Sequence, residues 1–320
     1  MNDTLHRIRR IVIEATPQAW RTISWIVRLT VFVSFVVFLM QYSGLIHWIS
    51  ACVSPIFSLF GLRGDAAMAF VSGYFINTYS ALAVISTLEL TGREITILST
   101  MVCAAHAIII EGAVLHRTGT PTWYTVAVRT VAALLLGIVL NRVLPGRPET
   151  VIAATSAANV PIFAIQGDFG PMFTAWLAGI VRLAVMMCVL IYLLNIIQRV
   201  LYEFGIMQRI SRLLSPLLRT FGLPEKCSFL WIVANIIGLS YGSAAILDEI
   251  ARGNISRREI DLLNTHIGVS HSNFEDLMLF TAVGGTWYVI LLARWVLVTL
   301  LVWGVRSWYR LCPSAAAATR

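Results

Sequence analysis

SPIFSLFGL, residues 54–62, returns as SPLLRTFGL at residues 215–223, without a gap and 161 positions later. A second pair lies further on: REITILSTMVCAAH (93–106) is answered by REIDLLNTHIGVSH (258–271), now 165 positions apart. The drift of four residues predicts a longer polar loop in the second copy, around Arg252 to Arg257. Past the two histidines the register holds to within a residue. Trp123-Tyr124 corresponds to Trp287-Tyr288, and each pair is followed by an arginine, Arg129 or Arg294. Self-similarity of this kind marks one fold written twice.

Composition says what kind of fold is repeated. The chain is 58% hydrophobic and only 12% charged, with a mean hydropathy of +0.79, which excludes an ordinary soluble domain. In lipid the backbone must satisfy its own polar groups, so the spans are helical. A bilayer core takes about 20 apolar residues per helix. Runs of that kind stand at 22–45, 66–88, 95–115, 122–141, 173–198, 228–247, 260–280 and 286–306. The expected fold is therefore all-α: a polytopic integral membrane protein of roughly eight hydrophobic spans in two homologous halves. The spans 95–115 and 260–280 carry ionisable groups and are the ones expected to be broken or re-entrant.

Each copy reads as an entry helix, an amphipathic Ser-Pro segment and three further hydrophobic elements. The division is a basic amphipathic segment at 1–21, a first repeat at 22–145, a polar connector at 146–172, a second repeat at 173–310 and a tail at 311–320. Duplicated halves are the usual architecture of secondary transporters, with the site at the repeat interface near the bilayer midplane.

The N-terminal segment lacks the pattern of a removable signal peptide. Its Arg7, Arg9, Arg10 and Arg21 favour a cytoplasmic start in a bacterial inner membrane. The net charge of +8 follows from basic loops against anionic lipid, so the bilayer is the expected partner and nucleic acid is not. A second basic stretch runs from Arg199 to Lys226. Four spans per half would make the halves parallel and set the two basic stretches on opposite faces; placing both on one face requires an odd number of crossings before the second half, which inverted repeats supply. Cys52, Cys103, Cys188, Cys227 and Cys312 show no metal or disulfide spacing, and no cofactor is expected.

The chemistry concentrates in HSNFEDLMLF (271–280). His271 and Glu275, four apart, share a helix face, whereas Asp276 points about 140° away. All three serve one site only if the helix is irregular. Gly268, Ser270, Ser272 and Asn273 favour that irregularity, because they compete for backbone hydrogen bonds. His106 aligns with His271 and Glu111 with Asp276, while Ile110 stands opposite Glu275. A packing network would explain such a cluster, but ionisable groups within a membrane are costly unless paired or wetted, which favours a polar cavity. A second polar string precedes each cluster, YFINTYSAL (74–82) and NIIGLSYGSAAI (235–246). Small-residue packing explains its glycines; an unwound helix facing a cavity would instead use Asn77, Ser80, Asn235, Ser240 and Ser243.

The Ser-Pro segment, the small-residue polar span and the H-S-x-x-E-D helix together resemble the Gate, or nucleoside recognition, domain. That domain occurs in spore maturation proteins A and B, in the membrane part of ferrous iron transporter B and, more distantly, in concentrative nucleoside transporters. The resemblance covers roughly 50–130 and 210–295, and the second copy carries the fuller motif. The resemblance implies a transporter or a maturation component. No P-loop of the form G-x-x-x-x-G-K-[ST] accompanies it, so a self-contained GTP-driven transporter is excluded.

Three functions follow. The first is a transporter or permease for a small polar solute or cation, with the site made by His271, Glu275, Asp276 and Asn273 and helped by His106, Glu111, Asn77 and Ser243. The second is a non-transporting component of an envelope or maturation complex. The third is a metal-dependent intramembrane enzyme built on His271, Glu275 and His106. Self-association as a homo-oligomer is also expected, on the ten tryptophans and the habit of duplicated transporters.

Overall fold

The computed structural model describes residues 2–146, 165 and 167–311, and every structural statement below concerns those residues. Most of the connector and the tail beyond Leu311 therefore lie outside them. All regular elements described are helices, as the composition requires. The first repeat comprises α1 (Asn2–Tyr42), α2 (Leu45–Phe57), α3 (Ala66–Phe75), α4 (Thr78–Ile85), α5 (Gly92–Ala105), α6 (Ile108–Arg117) and α7 (Thr122–Val143). The second repeats that order in α8 (Phe169–Glu203), α9 (Ile206–Thr220), α10 (Ser228–Ile236), α11 (Leu239–Ala251), α12 (Arg257–Val269), α13 (Asn273–Ala282) and α14 (Trp287–Leu311). The boundary expected at residue 21 falls inside α1, which runs through it as one helix with Pro17 within.

Local chemistry is duplicated along with the helices. Gly44 and Gly205, 161 apart, both adopt left-handed backbone just before the Ser-Pro helices α2 and α9. Thr91 with Glu94, and Ser256 with Glu259, form capping boxes that start α5 and α12. In each, the hydroxyl and the carboxylate satisfy orphan amides of the first turn reciprocally. The four-residue drift is not in the loop where the sequence predicts it. Residues 252–256 are no longer than residues 86–91; the extra length is in α11, 13 residues against 8 in α4.

Five helical segments are long and apolar enough to cross a membrane: Arg9–Tyr42, Gly92–Arg117, Thr122–Val143, Phe169–Glu203 and Trp287–Leu311. The spans expected at 66–88 and 228–247 are instead two-armed hairpins. A Cβ placed on Gly73 would come within 3.0 Å of the Ala81 Cβ, and one on Gly242 within 2.7 Å of the Ala234 Cβ. Residues eight apart in a continuous helix are about 12 Å apart, so α4 must fold back along α3, and α11 along α10. Each pair keeps one glycine and one alanine at this crossing, in opposite order, which permits the close approach. An arm of ten residues reaches about 15 Å, half the hydrocarbon thickness. The re-entrant elements are therefore these two; 95–115 and 260–280 are broken instead, the first within the segment Gly92–Arg117 that is long and apolar enough to cross.

The repeats are inverted. The equivalent helices α1 and α8 pack antiparallel along their length: the Tyr42 and Phe169 rings meet edge to face with centroids 5.2 Å apart, Thr16 meets the Tyr192 hydroxyl at 3.0 Å, and Arg10 pairs with Glu203 at 2.9 Å. Counting α12–α13, the equivalent of the broken span α5–α6, as a sixth crossing beside those five gives three per half, and with each hairpin returning to its own side the result is the same. The Ser-Pro helices α2 and α9 consequently lie at opposite ends of the bundle. Apolar rows such as Val181, Val185 and Val189 on α8, and Leu292, Val296 and Leu300 on α14, face outward, as lipid contact demands.

Candidate functional site

The centre of the molecule is where the chain stops being helical. α5 ends before His106 and α6 begins after Ala107; α12 ends before Ser270 and α13 begins after Ser272. Ala107 (φ 45°) and Ser272 (φ 48°) occupy left-handed backbone that side chains with a Cβ rarely adopt. Equivalent hairpins hold both: Ala107 N–H donates to Gly73 O at 2.9 Å, and Ser272 N–H to Ala234 O at 3.1 Å. Strain of this kind costs on the order of 1–3 kcal/mol, persists only where the surroundings over-determine it, and concentrates at functional sites.

The two broken helices cross antiparallel, so that α6 lies beside α12 and α13 beside α5. Leu115 touches the Gly268 position, and Thr286 N–H donates to Thr96 Oγ1 at 3.0 Å. The crossing brings both histidines to one carboxylate. Glu111 Oε1 lies 3.1 Å from His106 Nε2 and 3.1 Å from His271 Nε2, with the two rings 5.0 Å apart. His106 Nδ1 faces Val102 O at 3.2 Å and His271 Nδ1 faces Ile267 O at 2.7 Å. These three side chains form the one group of potential metal ligands found among the described residues.

Two fully buried arginines close the site. Arg129 donates to Ala104 O and His106 O, carbonyls that the break in α5 leaves without helical partners, and its Nη1 sits 2.6 Å from Glu111 Oε2. That contact is an ion pair off the line of a hydrogen bond. Arg294 instead reaches across the repeats to Cys103 O at 3.4 Å and stands 3.9 Å from Asp276 Oδ2. Carboxylates in the first turns of α6 and α13 also complement the positive helix ends there.

The other expected residues spread around this core. Glu275, half-buried, accepts a hydrogen bond from the Tyr79 hydroxyl of the first hairpin. Asn273 donates to Asn235 Oδ1 and to Ser270 Oγ, tying the second hairpin to the break in its own repeat. Asn77 caps α4, its Oδ1 accepting from Ser80 N–H at 2.8 Å and from the Ser80 hydroxyl at 3.1 Å, so both residues are committed to the hairpin turn. Ser243 is buried in α11, and the side chain of Ser240 lies outside the described residues. Ile110, the counterpart of Glu275, is 62% exposed. Its apolar character follows from facing outward, so it says nothing of what the half-buried place of Glu275 would tolerate.

Sequence reasoning passed over Tyr79, Arg129 and Arg294 as site residues. The arginines had a usable signal: two cations inside apolar spans at the common offset of 165. It also missed a polar group beneath the crossing, where Asp261 accepts from the Tyr309 hydroxyl at 3.0 Å and Asn264 donates to Thr118 and Thr120.

Comparison with known proteins agrees with this architecture. The Gate family model, described as nucleoside recognition, matches residues 23–119, from within α1 to just past α6. A membrane protein of Bacillus subtilis (strain 168), YvoD, described as uncharacterized, is 31% identical over 288 residues, which is 88% of this chain and 90% of that protein. No solved structure matches. With a Gate match on the first repeat and a relative that runs the length of both, this chain belongs to the YvoD family of Gate-domain membrane proteins.

Proposed function

We propose that the protein is a transporter or permease for a small polar solute or cation, with its site where the two broken helices cross. The observation that carries this reading is the convergence on Glu111 of histidines from both repeats, at the tips of two half-depth hairpins entering from opposite ends. Inverted repeats with discontinuous helices are how secondary transporters place a site at the midplane and expose it alternately to the two faces. Charge buried at that depth is expensive, and use is its usual explanation.

Orientation follows from the basic residues. Arg7 and Arg10 share one end of the bundle with Arg209, Arg212, Lys226, Arg257 and Arg306, whereas the other end carries Arg63, Arg93 and Arg142. The positive-inside rule puts the first end, and the N-terminus, in the cytoplasm of a bacterial inner membrane.

The test begins with a thermal-shift screen of purified protein against metals, nucleosides and other polar solutes. Uptake of the hits is then measured in proteoliposomes for the wild type, Glu275→Gln and Asp276→Asn. Loss of uptake in variants that remain folded is expected. Folded variants with unchanged uptake, or no uptake of any hit, would overturn the reading.

A further inference from the structure

The geometry points to a binding site for a divalent first-row transition metal, made by His106 Nε2, His271 Nε2 and Glu111 Oε1. It rests on the proposed solute or cation site and names the chemistry that site takes.

The argument starts with the imidazole protons. Both Nδ1 atoms face backbone carbonyl oxygens four residues back, and a carbonyl only accepts, so each Nδ1 carries the proton. In a neutral ring Nε2 is then a lone pair. Two such lone pairs are aimed at one carboxylate oxygen, 3.1 Å from each. Acceptors do not gather in this way without a cation between them. A single added proton satisfies one contact and leaves the other repulsive. Protonating both rings would place two imidazolium groups 5.0 Å apart. One metal ion satisfies all three atoms together.

The set also fits metal chemistry in detail. The ligand atoms lie within 4.8 Å of one another. Two imidazoles and a carboxylate form a known three-ligand set that keeps a further position open. Imidazole favours zinc, iron, cobalt or nickel over magnesium and calcium, which prefer all-oxygen sites. The backbone carbonyls on Nδ1 and the Arg129 guanidinium on Glu111 Oε2 are the outer partners that orient such ligands. Glu111 is the least enclosed of the three ligands, its side chain 15% exposed against 7% and 0% for the histidines, so the open position lies on its side.

The experiment uses the full chain in detergent, stripped with a chelator and titrated with Zn2+ and Co2+. One equivalent should bind, with Co2+ showing the visible absorption of a low-symmetry nitrogen and oxygen site. His106→Gln and His271→Gln should each weaken binding at least tenfold, while His116→Gln, at an exposed position, should leave it unchanged. Absence of a bound equivalent, or wild-type affinity in either site variant, would overturn the inference. Should those variants not fold, X-ray absorption of the zinc-loaded wild type decides: two imidazoles with a carboxylate oxygen support the site, and a shell with fewer than two imidazoles rejects it. Uptake is read separately. Metal bound without uptake of any solute keeps this site and removes the transport reading, whereas uptake by a protein that binds no metal does the reverse.

Discussion

Arg129 Nη1 lies 2.6 Å from Glu111 Oε2, yet in the equivalent pair of the second repeat Arg294 Nη1 stands 3.9 Å from Asp276 Oδ2. The aspartate is one carbon shorter, and its arginine is drawn to Cys103 O of the other repeat. Removing one partner from a buried pair costs about 3–5 kcal/mol, because the other charge is left uncompensated. Arg129→Met should approach that figure, and Arg294→Met should cost less, since its pair is already loose. Unfolding of the two variants in detergent checks the order; a larger loss at Arg294 would mean that its carbonyl contact outweighs the ion pair.

The hairpins make a prediction that a continuous helix cannot. In a background without the native cysteines, Gly73→Cys with Ala81→Cys should form a disulfide on mild oxidation, and so should Ala234→Cys with Gly242→Cys. Both pairs sit closer than the usual 3.5–4.5 Å between bridged Cβ atoms, so a small relaxation suffices. Failure of both pairs to bridge, seen by mass spectrometry after proteolysis, would return 66–88 and 228–247 to spans. Gly242→Ala alone should destabilise by about 1–3 kcal/mol through overpacking, because its Cβ would meet the Ala234 backbone.

The repeat was legible in the sequence because capping, turn and motif residues are local and survive duplication. Thr91 with Glu94 and Ser256 with Glu259 are written in the chain as clearly as they appear in the fold. The polar strings at 74–82 and 235–246 marked the breaks at 76–77 and 237–238, but not that the chain turns back there. Hydropathy responds to apolar length, and a folded pair of half-length arms has the same length as one span; only the Gly73–Ala81 and Ala234–Gly242 contacts distinguish them. The site was legible in part. Ser270, Ser272 and Asn273 announced a break after His271, but Ala107 announced nothing, and its left-handed backbone shows only in its alignment with Ser272. The meeting of His106, His271 and Glu111 depends on how two helices cross, which residue spacing does not encode.

Inversion predicts where two equivalent surface residues face. Leu59 and Thr220 are 161 positions apart and both exposed, one after α2 and one at the end of α9. In the same cysteine-free background, Thr220→Cys should react with an impermeant maleimide only after the cytoplasmic face is opened. Leu59→Cys should react in intact cells. Labelling of both from one side would make the repeats parallel and refute the antiparallel packing of α1 on α8.

Glu275 offers the sharpest contrast between charge and hydrogen bonding, because its described partner, the Tyr79 hydroxyl, comes from the other repeat. Gln retains an acceptor oxygen at the same reach, so Glu275→Gln should shift stability by no more than about 1 kcal/mol. Copying the first repeat with Glu275→Ile removes the acceptor and leaves the Tyr79 hydroxyl unpaired at a cost of about 1–3 kcal/mol. Tyr79→Phe should cost a similar amount, by leaving the carboxylate without its donor. Because Tyr79 and Glu275 act through one bond, the double variant Tyr79→Phe with Glu275→Ile should lose less than the sum of the single losses. Thermal and denaturant unfolding of the four proteins give the coupling directly. Strict additivity would show that the contact does not join the first hairpin to α13, and a gain in stability from Glu275→Ile would make that position an apolar packing site.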